Sequence, residues 1–299
     1  MFFVSISLGL CAFIISYILF SPSIALAKTL GAIDFPSARK SHTTPTSRAG
    51  GLSFFVAFSL SLVLLPINAS LKIPLVLSGG IIFIVGLIDD SKSISPFAKL
   101  SGQFMATSLY ILMTHSEFDG FWEKLFGIAS LFWIIFITNA TNLCDGLDGL
   151  AGGITSSQAL CLAIISLFAG RYDTFSCSIL LLFSILGFLP RNIPPAQTFM
   201  GDCGSLFLGF ILGTLSSFLV YKTQNLLVLI SVLLIFRVSS ADAIQSFIRR
   251  IVTGNNPFAA DRGHFHHKLL DLGFTKECAV LALVTLSLIF GFIAILLQI

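Results

Sequence analysis

Charge is what this chain has least of. Asp, Glu, Lys and Arg together make up 10% of its 299 residues, 56% are hydrophobic, and the mean hydropathy is +0.97. A soluble domain carries about 25% charged residues, so an ordinary solvated surface is excluded. The six cysteines (11, 144, 161, 177, 203 and 278) form no Cys-x-x-Cys pair, and three sit within apolar runs. They read as packing residues, which excludes a disulfide frame. The net charge is only +3, and no basic-aromatic array offers a surface to nucleic acid. Internal repeats, low-complexity tracts and a separate soluble segment are also missing. The chain therefore reads as one domain spanning residues 1–299.

Long uncharged runs rich in its 31 Phe are what remain. A membrane-crossing helix needs about 20 mostly apolar residues, with a range of roughly 17–25. That length predicts ten spans, near residues 2–21, 51–67, 74–88, 98–114, 125–140, 154–170, 174–190, 205–221, 226–243 and 277–298. The fold class that follows is all-α, a polytopic integral membrane protein of about ten transmembrane helices.

Basic residues set the orientation. Segments 28–50, 89–99, 139–153, 191–204 and 244–276 hold 12 of the 17 Lys and Arg. The opposite side holds Lys72, Lys124, Arg171 and Lys222, and Arg237 falls inside the ninth run. The five odd-numbered loops are thus expected to be cytoplasmic, with both termini on the other side. Ala25-Leu26-Ala27 resembles a signal-peptidase site. No basic residue precedes the apolar run, however, and cleavage would invert the basic bias, so the first run is expected to stay as a span.

The same five loops collect the unusual polar groups. Ten of the 14 carboxylates and four of the five histidines lie in or beside them. Intramembrane or membrane-face polar residues of this kind are costly and mark function. The first loop carries Arg39, Lys40, His42 and Arg48 before Gly50-Gly51, a pattern suited either to phosphate or simply to orienting the chain. The second begins with Asp89-Asp90. Adjacent carboxylates need a proton, a cation or a solvated mouth, and Lys92 or Lys99 is near enough in sequence to serve. They suit a general base, metal-site electrostatics or plain helix-end polarity.

The third loop, NATNLCDGLDGLAGG from Asn139 to Gly153, repeats Asn142, Asp145 and Asp148 at intervals of three, with Gly146 and Gly149 between. It matches neither a calcium EF-hand nor a dinucleotide-binding glycine signature. It reads either as a polar site turned toward one point or as a capped re-entrant turn. In the fourth loop Asp202 lies between Gly201 and Cys203-Gly204-Ser205, placed either to cap a helix or to hold a metal-anion pair. The fifth holds Arg249, Arg250, Asp261, Arg262, His264, His266 and His267. No cysteine set accompanies these histidines, so phosphate binding or proton transfer suits them better than zinc, with a plain basic rim as the alternative.

The segments PSARKSHTTPTSRAGG, IDD, NATNLCDGLDGLAGG, NIPPAQTFMGDCGS and DRGHFHHKL, in that order over nearly the whole chain, resemble the polyprenyl-phosphate N-acetylhexosamine-1-phosphate transferases, the WecA/MraY group or glycosyltransferase 4 family. The resemblance implies a multi-pass enzyme of the bacterial inner membrane. Such an enzyme moves a sugar 1-phosphate from a UDP-N-acetylhexosamine to undecaprenyl or another polyprenyl phosphate and releases UMP, with Mg²⁺ (or Mn²⁺) as cofactor. It further implies Asn142 and Asp202 as metal contacts, and Asp145 and Asp148 at the nucleotide site. Asp148, Asn192 and Phe199 would face uridine, and Asp89 and Asp90 the acceptor phosphate. Arg39, Lys40, His42, Arg48, Arg249, Arg250, Arg262, His264, His266 and His267 would clamp phosphates. A homodimer is compatible with this reading.

The Asp-Arg-x-His-x-His-His run is similar to the branch that starts O-antigen, teichoic acid and related glycans. The muramoyl-pentapeptide branch, with a different histidine segment, is the alternative. Ser239 departs from the proline that this branch leads one to expect before Asp242, which bears on the shape of the ninth span. A transporter or flippase would place paired polar groups at mid-membrane, where Arg237 stands alone.

Overall fold

The computed structural model describes residues 1–35, 45–114, 120–254 and 263–299. Arg39, Lys40, His42, Asp261 and Arg262 lie outside the described residues. In chain order the elements are α1 (Phe2–Leu30), a hairpin of β1 (Ile33–Asp34) and β2 (Thr46–Ser47), α2 (Gly51–Leu64), α3 (Ala69–Lys92), α4 (Pro96–Thr114), α5 (Phe121–Cys144) and α6 (Leu150–Phe168). They continue with α7 (Tyr172–Asn192), α8 (Gly201–Thr223), α9 (Leu226–Ile235), α10 (Arg237–Val252), α11 (Phe265–Asp271) and α12 (Lys276–Leu296). The chain is an all-α polytopic membrane protein.

Each of the ten expected spans is helical, but not all are equal. Among the described residues seven helices are long and apolar enough to cross a membrane, eight if the bent pair α9–α10 is counted as one span. α2 is a 14-residue apolar helix. α4 has 19 residues but carries Lys99, Ser101, Gln103 and Thr107. α1 runs nine residues beyond its expected end and stops where Gly31 takes the left-handed conformation, φ +73°. Ala25-Leu26-Ala27 lies inside this helix, with Ala27 buried against Ala32 and Ala49.

The ninth span needs correction. One span over 226–243 is expected, its shape left open by Ser239, and α9 and α10 meet at Phe236 with a bend of 68°. Asn225 caps α9 by accepting the Leu227 N–H at 2.8 Å. Apolar sequence runs out at Phe236, and Arg237 opens a helix whose inner face carries Ser239, Asp242, Ser246 and Arg250, all buried. α10 packs against α5, and its buried polar groups find partners that lipid would deny them in Gln158 of α6, which donates to Ser239, and in His264 and Phe265 at the start of α11, which meet Asp242 and Ser246. Arg237 is therefore the first residue of α10, at the break, and not a charge within a straight span.

α8 is the hub of the bundle, buried almost throughout and packed against α3 and α5, with further contacts to α2, α6 and α7. Small residues let backbones approach where no hydrophobic force separates helix from lipid. A Cβ on Gly209 would lie 2.7 Å from the Thr138 Cα of α5. One on Gly51 would lie 2.5 Å from the Gly204 Cα, and one on Gly86 would lie 2.5 Å from both the Asp202 carbonyl oxygen and the Cys203 nitrogen. Thus α2 and α3 both touch the first turn of α8 backbone to backbone. Phe54, Phe188 and Phe207 fill the space behind that junction, with Phe54 and Phe188 edge to face at 5.2 Å.

Gly86→Ala should overpack this junction and cost about 1–3 kcal/mol, read as a lower thermal midpoint in detergent. Gly80→Ala is the control on the same helix, because a Cβ there meets nothing within 4 Å; it should leave the midpoint unchanged.

Candidate active site

The junction of α2, α3 and α8 fixes the position of the acidic groups. Gly201, at φ +73°, opens α8 in a backbone conformation that L side chains rarely adopt. The first N–H groups of a helix have no partner within the helix, and here the Asp90 carboxylate takes two of them. Its oxygens accept the N–H of Asp202 and the N–H of Cys203, both at 2.9 Å. The second loop thereby caps the fourth.

Asp202 projects from that turn into a ring of polar side chains. Its Oδ1 accepts the Asn142 amide at 2.9 Å, and the same amide nitrogen reaches Ser205 Oγ at 2.8 Å. Lys99 of α4 forms ion pairs with both Asp202 and Asp89, the latter at 2.6 Å. The other Asp89 oxygen accepts the Ile94 N–H at 2.8 Å. Asn142, Asp202, Asp89 and Lys99 come from four helices and as many as 113 positions apart in sequence, yet form one hydrogen-bonded group.

The third loop lies beside this group. Asp145 follows the end of α5, and Gly149, at φ +78°, turns the chain into α6. Burial, reinforced by the charges of Asp202, Asp90 and Asp148 and opposed by Arg48, raises the Asp145 carboxyl from 3.8 to about 8. Asn192, expected at the uridine, is buried and its amide is already engaged. Gly149 donates to its Oδ1 at 3.1 Å, and its Nδ2 donates to the Thr198 carbonyl at 3.0 Å. It ties the third loop to the fourth. Asp148 accepts a longer bond from the Ala196 N–H at 3.4 Å.

The first and fifth loops close two further sides. Phe199 donates its N–H to the Ser47 carbonyl and accepts from Gly50 N–H, which fastens the β1–β2 hairpin to the fourth loop beside Asp202. Arg48 forms an ion pair with Asp34 and contributes positive charge at Asp145. From the other side, His266 packs on the third loop so closely that a Cβ on Gly146 would collide with its ring. His266 is 3% exposed, and its Nε2 has no hydrogen-bond partner among the described residues. Burial and the neighbouring His267 and His264 depress it to about 4, against the opposing charge of Asp242. His267 lies 4.2 Å from it, ring to ring. Arg249 bonds the Gly263 carbonyl and Ser246, and Arg250 is buried.

Asp89, Asp90, Asn142, Asp145, Asp148, Asn192, Phe199, Asp202 and His266 therefore border one region, while Arg249 and Arg250 stand on α10 beside the His264 segment. Sequence reading named Lys99 only as a neutralising partner and gave no role to Ser205 or Asp34. Lys99 carried a signal, being a lone cation in a helix otherwise largely uncharged. Ser205 and Asp34 carried none, because only the fold brings them to Asn142 and Arg48.

The donor set bears on a metal. Among the described residues no three His, Cys, Asp or Glu side chains gather as a ready cage. Mg²⁺ seldom uses one, since it prefers one or two carboxylates and fills its octahedron with water and phosphate oxygens. Asp202, Asn142 and Asp89 offer only oxygen once the Asn142 amide is turned, and Lys99 shows that a cation is at home between the two carboxylates. The residues fit a hard divalent ion.

Residues 73–220 match the family described as Glycosyl transferase family 4. Over 284 residues the chain is 34% identical to a probable undecaprenyl-phosphate N-acetylglucosaminyl 1-phosphate transferase of Bacillus subtilis, covering 91% of this chain and 79% of that protein. It is 31% identical to a decaprenyl-phosphate N-acetylglucosaminephosphotransferase of Mycolicibacterium smegmatis, covering 91% and 77%. It is also 31% identical to an undecaprenyl-phosphate alpha-N-acetylglucosaminyl 1-phosphate transferase of Thermotoga maritima, covering 94% and 87%.

A carboxyl whose folded pKa lies above its free value keeps a proton that the unfolded chain has lost, so folded stability falls as pH rises from about 4 toward 8. Asp145→Asn removes that dependence. In metal-free buffer its thermal midpoint should exceed that of the wild type at pH 8 by at least about 2 °C, and the gap should close toward pH 4.

Proposed function

This chain belongs to glycosyl transferase family 4, and we propose that it transfers N-acetylglucosamine 1-phosphate from UDP-N-acetylglucosamine to undecaprenyl phosphate, releasing UMP. The product is a lipid-linked pyrophosphate that starts a cell-envelope glycan. One observation carries the reading: Asp202, Asn142, Asp89 and Lys99 meet within hydrogen-bonding distance at the motif-bearing end of an apolar bundle. An anionic, water-soluble donor and a lipid-borne acceptor have to meet at such a membrane face. In the orientation that the basic loops favour, this face is cytoplasmic.

Phosphoryl transfer depends on positioning and charge neutralisation more than on covalent help from the protein. Asp202 and Asn142 would hold Mg²⁺ against the donor pyrophosphate, with Ser205 fixing the Asn142 amide. Bound there, the ion supplies Lewis-acid neutralisation of the phosphate oxygens. Lys99 keeps Asp89 and Asp202 apart from each other's charge and stands ready to turn toward phosphate. Asp90 has both oxygens committed to the start of α8, so it positions Asp202. Asp89 is then the member of the pair left to face the acceptor phosphate. A phosphate monoester is mostly ionised near neutrality, and attack requires no strong base. Arg48, with the first-loop and fifth-loop cations, would balance the donor's charge.

Purified protein given Mg²⁺, UDP-N-acetylglucosamine and undecaprenyl phosphate should release UMP, and Asp202→Asn should lower turnover by at least about 10³-fold, the scale of losing a principal electrostatic contact. UMP release that survives this substitution rejects Asp202 as the metal contact. A protein that releases none with any UDP-N-acetylhexosamine rejects the reading itself.

A further inference from the structure

The break between α9 and α10 places a buried carboxylate behind the histidine segment. Asp242, 4% exposed, stands on the inner face of α10. Its Oδ1 accepts the Phe265 N–H at 2.7 Å, holding the first turn of α11, and its Oδ2 lies 2.9 Å from His264 Nδ1. Ser246 Oγ lies 3.2 Å from the same ring nitrogen. The His264 ring is stacked parallel on His266, with centroids 5.7 Å apart and planes 3° apart. His266 in turn presses on Gly146 between Asp145 and Asp148. A continuous path of contacts thus runs from α10 through two histidines to the third loop.

Hydrogen-bond partners fix the state of His264. A bare Nδ1 would turn its lone pair on a carboxylate oxygen, so the proton belongs on Nδ1, donated to Asp242 and shared with Ser246. Nε2 is then the nitrogen left for a ligand.

We infer that Asp242 is a positioning residue of the transferase: it sets the His264 tautomer and the start of α11, and so seats the His264–His266 stack against the Asp145–Asp148 loop. The inference rests on the function proposed above and adds a residue to it. Asp242 touches no substrate in this arrangement; it acts through His264.

Asp242→Asn separates the two duties. An asparagine oxygen still accepts the Phe265 N–H, but its amide now points N–H at His264 Nδ1 and drives the proton to Nε2. Wild type and variant, labelled with ¹⁵N-histidine in nanodiscs, give the tautomer by NMR, with the His264 signals assigned by their loss in His264→Gln. The expected result is Nδ1–H in the wild type and Nε2–H in Asp242→Asn. UMP turnover at saturating substrates should fall on the order of 10²-fold, with KM for the UDP-sugar changed by less than about threefold and the thermal midpoint close to wild type. Turnover within twofold of wild type despite an inverted tautomer overturns the inference. So does an Nε2–H tautomer in the wild type, which decides the matter even if the variant fails to fold. Wild type that shows Nδ1–H but releases no UMP overturns the transferase reading and leaves the hydrogen-bond assignment standing.

Discussion

Two backbone N–H groups at the start of α8 donate to the two oxygens of one carboxylate, and the site is organised around that contact. Asp90 reaches Asp202 and Cys203 only because α3 and α8 touch at Gly86 without a side chain between them. The same turn meets α2 through Gly51 and Gly204. Three helices are thereby locked at one point, and Asp202 leaves that point in a direction set by backbone geometry rather than by a mobile loop. Sites held on rigid elements keep the sub-ångström placement that phosphoryl transfer demands.

The cost of this arrangement is electrostatic. Asp89, Asp90, Asp145, Asp148 and Asp202 gather where the described residues supply chiefly Lys99 and Arg48 in return. The elevated Asp145 carboxyl is the local symptom. A soluble fold would relieve the strain by opening to water, but the apolar bundle on one side prevents it. A ligand that brings cations would relieve it, as the metal and pyrophosphate of the proposed reaction would. Stability and function are in tension here, as they commonly are where like charges are held together for chemistry.

Much of this was legible in the sequence. Ten helical runs, the scarcity of charge and the one-sided collection of Asn142, Asp145, Asp148, Asp202 and the histidines could all be read from composition and spacing, because the bilayer imposes a length rule and penalises stray polarity. Their convergence was foreseeable as a matter of topology. Other features were not. Asn192 is a polar residue before a proline-rich turn in the sequence, yet in the fold it is a buried latch between two loops. Asp90 and its neighbour Asp89 look equivalent on paper; one caps a helix and the other pairs with a lysine. Such differences depend on which atom faces which, and no periodicity encodes that.

The bend at Phe236 shows where the boundary falls. Hydropathy located the end of an apolar run and the onset of polar residues, but could not say whether the polar half continued straight or turned. The turn lets Asp242 and Ser246 find His264, and lets Ser239 accept the Gln158 amide at 3.1 Å. Composition and motif order suffice to make this a membrane-embedded helical protein with one acidic, glycine-rich face and a family-like order of motifs, because burial in lipid is a constraint on composition. Only the tertiary structure decided the role of each carboxylate, since a role depends on partners from other helices, and close approach of helices depends on glycines whose neighbours lie more than a hundred residues away.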